Sequence, residues 1–310
     1  MNGPDGEPGP AATTGTDEVD APTVDSDGVP SKCLSFVVRA DWGHFRRIDR
    51  TVTKQTYRLP PRTTVAGLTA AIAGVRRDGY YDVFAPGQSA VAVTPQFDIR
   101  TVTEPSLGLG TNPGETFSDA GGSGKKTIKV RFPDSTDNRQ IHSYELLVDP
   151  AYRIDLAVED AEFYGALKDR LETGTSYYPP SMGLSEYLAW IEPVGSGDEP
   201  VSPDDEPVDP GDEPVGPDNQ TTFEFEPKRC TGETVAVDGA VPEATSEIVP
   251  RAGETYRTER MPAFMEADSG GRSTTGYANY AFRLREDEQI ELRPDSATPV
   301  EVGGQTVVFH

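Results

Sequence analysis

The order of strand, basic loop and helix over residues 33–75 constrains this 310-residue chain more than any other feature of its sequence. Cys33-Leu-Ser-Phe-Val-Val-Arg39 is an apolar run of strand length, and Thr63 to Val75 sets Val65, Leu68, Ile72 and Val75 at helical spacing. The first reads as a buried strand and the second as a core helix. Arg76-Arg-Asp-Gly79 closes that helix, with cations at its C-terminus and a glycine beyond. Between the two lies Ala40 to Arg62, where Trp42, Phe45 and Tyr57 interleave with cations.

This loop reverses the sign of the chain. From Ser31 to Arg62 eight Lys or Arg stand against two Asp, in a protein of formal charge −24. Cations interleaved with rings suit a polyanion whose bases stack, because the cations release phosphate counterions and the rings take base faces. Single-stranded RNA is the first such ligand. The other reading is a solvated loop whose aromatics pack on the core.

Much of the acidity lies elsewhere. Residues 1–30 hold seven Asp or Glu and no Lys or Arg, and without periodicity they read, to residue 31, as a disordered acidic tail. Residues 195–219 hold nine acids and no cation, and repeat Asp-Glu-Pro-Val from positions 198, 205 and 212. A proline in every repeat rules out a coiled coil, so 195–220 reads as an extended, self-repelling linker. Lysine occurs only at 32, 54, 125, 126, 129, 168 and 228, the other cations being arginine. An acidic, lysine-poor surface suits a salt-filled cytosol and predicts a halophilic source. At such ionic strength stacking and bidentate arginine carry more of any RNA affinity than simple phosphate attraction.

Along the rest of the chain, 89–94 and 97–103 read as strands. Residues 104–141 form a long glycine-bearing excursion ending in the basic strand Lys125-Lys-Thr-Ile-Lys-Val-Arg131. A strand over 143–158 bends at Asp149-Pro150, Asp160 is a candidate N-cap for a helix bearing Phe163, Leu167 and Leu171, and Gly174 is its natural terminator. Tyr187 to Ile191 supplies a further strand. The order matches an α+β, ferredoxin-like (βαββαβ, RRM-like) unit over 32–194. From Thr221 to His310 the pattern is strand-rich, ending in a hairpin with a Gly303-Gly304 turn, and predicts a β-rich C-terminal subdomain. Its arginines, Arg257, Arg260, Arg272, Arg283 and Arg285, read either as an extension of the basic surface or, favoured by the neighbouring acids, as a solvated face.

Chemistry is sparse. Cys33 and Cys230 are the only cysteines, and His44, His142 and His310 the only histidines, so neither a disulfide framework nor a metal motif is written in the sequence. The first residues lack a basic, apolar leader, and no run approaches the ~20 apolar residues of a spanning helix. The chain therefore reads as cytoplasmic, without a cofactor and without a membrane. An acidic extracellular binding module with a proline-rich stalk is the reading this disfavours.

The strand, then Asp41-Trp42, Phe45-Arg46, Tyr57 and Pro60-Pro-Arg-Thr-Thr-Val65 before a Gly/Ala-rich helix resemble the N-terminal signature of the CRISPR-associated Cas-five family, RAMP-superfamily subunits of type I Cascade. Leu147-Val-Asp-Pro-Ala-Tyr-Arg-Ile154 and Gly174 to Glu186 resemble its later pattern, with type I-B the most similar subtype. The resemblance implies a RAMP domain whose 104–141 excursion is a thumb hairpin. It also implies an RNA-binding subunit that caps the 5′ handle of the crRNA in antiviral defence, with the Cascade backbone subunit and large subunit as partners and target DNA met through the complex. On this reading Trp42, His44, Arg46, Arg47, Lys54, Tyr57, Arg58 and Arg62 serve the handle, and Lys125, Lys126, Lys129 and Arg131 lie on the thumb. In the type I-C subtype the subunit cleaves precursor RNA with a Tyr, a Lys and a His. Tyr57 stands where that tyrosine would, but His142 has no adjacent lysine, so the resemblance favours a non-catalytic subunit over an endoribonuclease.

Overall fold

The computed structural model describes residues 21–47, 53–109, 139–194, 223–243, 247–250, 253, 255–268, 271–294 and 297–310. The basic thumb positions Lys125, Lys126, Lys129 and Arg131, the acidic linker over 195–220 and most of the N-terminal tail lie outside these residues.

A central antiparallel sheet is built around β1 (Cys33–Arg39). After the basic loop come α1 (Arg62–Ala73), β2 (Ser89–Pro95), β3 (Arg100–Leu109), β4 (Arg139–Val148), β5 (Ala151–Val158), α2 (Ala161–Glu172) and β6 (Trp190–Pro193). The sheet runs β6-β1-β5-β2, so each helix connects two strands that have a third between them. Strand β5 is buried along its length, and its alternate residues divide between two cores. Tyr152, Ile154, Leu156 and Val158 join Leu34, Phe36 and the apolar faces of both helices, while Ala157 joins Cys33, Ala90 and Ala92 on the opposite face. Each fully buried Leu, Ile or Phe in such a core stabilises the fold by about 2 kcal/mol.

The helix ends follow their sequence signals closely. Asp160 accepts the Phe163 N–H at 2.8 Å, capping α2, and Gly174 follows with positive φ. Helix α1 stops earlier than Arg76-Arg-Asp-Gly79 suggests. Gly74 takes the left-handed conformation at φ 89° and returns its N–H to Ala70, ending the helix one turn sooner. Strand β3 starts at Arg100, later than expected, and pairs with β4 over ten residues from Arg100↔Val148 to Leu109↔Arg139. The start of the predicted excursion is thus regular strand.

The C-terminal strands complete the N-terminal sheet. The hairpin β10 (Val300–Val302) and β11 (Gln305–Val307) packs Val300, Val302 and Val307 against the second sheet face. On that face Arg153 and Asp155 form a buried pair: the Arg153 guanidinium donates to Asp155 at 3.0 Å and to the carbonyls of Val302 at 2.6 Å and Gly303 at 3.1 Å. Burial pushes the Asp155 carboxyl up, against the pull of Arg153 and the Ser35 hydroxyl. The free edge of β2 is closed too, since Val91 exchanges both backbone hydrogen bonds with His310 at 3.0 Å. The long pair β8 (Arg257–Asp268) and β9 (Gly271–Phe282) delivers Met261, Tyr280 and Phe282 to the helix-side core. Strand β8 was not expected from the sequence, because Pro262 and its charged residues hide the alternation.

One further departure concerns the N-terminal acidic segment, and the acidic linker interrupts a strand. Residues 21–31, expected to end a disordered tail, turn back through a Val24↔Pro30 bridge and bury Val29. Asp25 and Asp27 there hold Arg229 at 2.5 and 3.0 Å. On the other side of the linker, β7 (Glu224–Phe225) continues the edge that β6 begins. Pro193 pairs with Phe36, the Phe223 carbonyl accepts the Ser35 N–H at 2.7 Å, and Glu224 pairs with Leu34. The chain leaves and rejoins one interrupted strand at consecutive register positions.

Candidate nucleic-acid interface

The basic loop is a hairpin laid against β4. Trp42-Gly43 pairs with Val148-Leu147, Phe45-Arg46 pairs with Tyr57-Thr56, and Thr53-Lys54 runs parallel to Ser143-Tyr144. Its inner side chains, Phe45 and Tyr57, are buried in the main core. Beneath it sits the Met182-Gly183 turn. Gly183 has φ 95°, and a Cβ there would collide with the His44 carbonyl, so only glycine lets the two segments meet.

The eight residues assigned to this loop separate into two groups. Trp42 is 40% exposed, Arg46 is exposed, and Arg47 and Lys54 are half-buried. Arg47 rests 5.5 Å from the Tyr57 ring centre. Neither Arg46 nor Lys54 has an ion-pair partner among the described residues. These four place three cations and one large ring, exposed or half-buried, on the paired segments of the basic loop.

The other four are turned inward. His44 is fully buried, its Nδ1 is 2.8 Å from the Glu145 carbonyl and its ring meets Tyr144 edge-on at 5.4 Å. Burial holds its pKa below the ordinary imidazole value, so the ring is neutral at pH 7. Tyr57 is 8% exposed. Arg58 donates two fork bonds to Glu145 at 2.6 and 3.0 Å and lies 4.0 Å from Glu259. Arg62, 3% exposed, donates to the Ser89 carbonyl at 2.8 Å, to its hydroxyl at 2.6 Å and to the His310 carbonyl. Burial lowers its pKa to about 10, and it remains a cation.

From these positions His44, Tyr57 and Arg62 do not reach a ligand on the hairpin's outer surface, and the Arg58 charge is already answered by two carboxylates. The physical reason is burial: His44 and Tyr57 pack beneath the hairpin, and Arg62 joins the start of α1 to Ser89 and His310. The acids Glu145 and Glu259 were missed in the sequence, since nothing local marks an acid as the partner of a distant arginine.

The rest of the surface narrows the options. An RRM-like sheet stacks bases on the face opposite its helices, but here that face is covered by the C-terminal hairpin. Among the C-terminal arginines, Arg283 is buried and donates to the Pro95 carbonyl at 3.0 Å, whereas Arg272 holds Asp78 and Arg257 lies 3.2 Å from Glu259. Among the described residues no three His, Cys, Asp or Glu come together as a metal site, and no helix is long and apolar enough to cross a membrane.

A family model described as CRISPR-associated protein (Cas_Cas5) matches residues 33–238, well over half of the chain. The chain belongs to the Cas-five family. The match spans the sheet, both helices, the basic hairpin and both flanks of the linker, so the exposed group on the hairpin is part of the Cas-five region itself. Among solved structures the Cas-five chain is similar to a chain of a "CRISPR RNA-guided surveillance complex", at 16% identity and TM-score 0.44, covering 86% of this chain and 92% of the other. It is also similar to a CRISPR protein from Archaeoglobus fulgidus, at 15% identity and TM-score 0.49, covering 89% and 98%. At these values the family assignment rests on the sequence match. No curated protein matches the chain.

Proposed function

We propose that this Cas-five chain is a non-catalytic, RNA-binding subunit of a type I-B Cascade surveillance complex from a halophile, working in the cytoplasm to cap the 5′ handle of the crRNA. The observation that carries this reading is the group Trp42, Arg46, Arg47 and Lys54, outward on a hairpin within the family-matched region. Cations and a ring carried on strand-paired segments suit splayed single-stranded bases and their phosphates. The strand order β6-β1-β5-β2, with a helix after the first and third strands in sequence, supports a ferredoxin-like RAMP domain. The long β3–β4 pair supports a thumb that would reach a backbone subunit, with the large subunit and target DNA met through the assembly.

The test is a high-salt pull-down of tagged protein from its native cytosol, with the bound RNA sequenced and end-mapped. Short RNAs sharing one repeat-derived 5′ end are expected, and they should be lost from the folded Arg46→Glu/Arg47→Glu variant. Scattered ends, or no RNA, would overturn the reading. The endoribonuclease alternative is separated by incubating purified protein with precursor repeat RNA without metal, where no cleavage is expected.

A further inference from the structure

We infer that Glu145 is a positioning residue for the RNA surface, an acid whose loss weakens binding to a polyanion. The inference rests on the RNA-binding reading above. Glu145 lies on β4, yet it meets the basic hairpin on both of its strands, on either side of Arg46, Arg47 and Lys54. Upstream, its main-chain carbonyl, which Glu145→Gln leaves in place, meets His44 Nδ1 at 2.8 Å. Downstream, its carboxylate accepts the Thr56 N–H at 3.2 Å and both arms of the Arg58 fork at 2.6 and 3.0 Å. Arg46 pairs with Thr56 across the hairpin, and Lys54 pairs with Tyr144, the residue beside Glu145. Residue 145 thus meets the hairpin on both strands, through its main-chain carbonyl at His44 and through its carboxylate at Thr56 and Arg58. The carboxylate fixes the strand that pairs with Arg46 and carries Lys54 against the long β3–β4 pair. Glu259 reinforces it by accepting the Arg58 N–H at 2.9 Å.

Two physical effects oppose each other here, which makes the sign of the outcome decisive. As a bare charge, a carboxylate under an RNA site repels phosphates, and its removal would also free Arg58 as one more cation. On that basis Glu145→Gln would bind RNA more tightly and with a steeper salt dependence. As a positioning group, Glu145 holds the cations in register with one another. Its replacement would then loosen the hairpin, weaken binding about tenfold and flatten the salt dependence by about one phosphate contact.

The experiment titrates a recovered RNA, resynthesised with a fluorescent label, into full-length wild type, Glu145→Gln, Arg58→Lys and Asp41→Asn at several salt concentrations. Arg58→Lys keeps the charge but loses the two-armed bond. It therefore reports on positioning even if Glu145→Gln does not fold. The expected result is weaker binding for Glu145→Gln and Arg58→Lys, with equal or tighter binding for Asp41→Asn, whose acid is exposed near the same surface. Equal or tighter binding by folded Glu145→Gln, or wild-type binding by Arg58→Lys, would overturn the inference. The Arg46→Glu/Arg47→Glu variant separates the two failures: if it binds like wild type, the RNA surface itself is misplaced, and if it loses RNA while Glu145→Gln does not, only the positioning role falls.

Discussion

Arg46 and Arg47 differ from Arg58 and Arg62 in nothing that local sequence records, since all four stand in one polar, cationic stretch. In the fold Arg46 is exposed and Arg47 is half-buried over the Tyr57 ring, while Arg58 is held between two carboxylates and Arg62 is closed in the core. The difference teaches that charge density along a chain measures capacity for a polyanion, not availability. A guanidinium is available only to the extent that the fold leaves it in water and away from carboxylates.

The sharpest way to break this comparison is to exchange the roles. Arg62→Ala strips three donated bonds from buried acceptors and is expected to cost about 3 kcal/mol, seen as a lowered Tm. Arg46→Ala should leave Tm unmoved while weakening RNA binding. A stable Arg62→Ala protein with weakened RNA binding would place Arg62 on the wrong side of the division.

Acid gives the next largest effect. Burial lowers the pKa of both His44 and His310, the latter to about 3. Below the ordinary imidazole pKa near 6.5 the unfolded chain takes up protons that the folded state refuses, so stability falls as pH falls. The stabilisation is complete above about pH 6.5, and the expected loss is about 1.4 kcal/mol per pH unit for each histidine until its folded pKa is reached. Thermal melts from pH 7 to pH 5 measure it, and His44→Gln should remove part of the slope. A flat profile would mean that His44 is solvated and belongs with the exposed group.

A cap gives a smaller change. Asp160→Ala removes the acceptor of the Phe163 N–H and should cost about 1 kcal/mol by chemical denaturation, without altering RNA affinity. Smallest of all is deletion of residues 194–222 with Pro193 joined to Phe223. The two flanks occupy consecutive positions along β1, so an unbroken edge strand should form, with Tm and far-UV circular dichroism unchanged. A large loss of Tm would show that the acidic segment supports the fold.

What the sequence determined by itself is everything governed by neighbours a few residues apart. Strand β1, both helices, the Asp160 cap, the Gly174 terminator and the Gly303-Gly304 turn were all legible, because periodicity and backbone preference act within one element. Tertiary structure alone decided which cations stay in water. Arg58 meets Glu145 across 87 residues, its N–H meets Glu259 across 201, and Arg62 meets His310 across 248. It also decided that the sheet face an RRM-like domain would leave open is closed, since the hairpin that covers it comes from the far end of the chain. The physical reason is that desolvation of a charge is a property of the whole packed surround. A sequence window holds the arginine but not the carbonyls and carboxylates that will surround it.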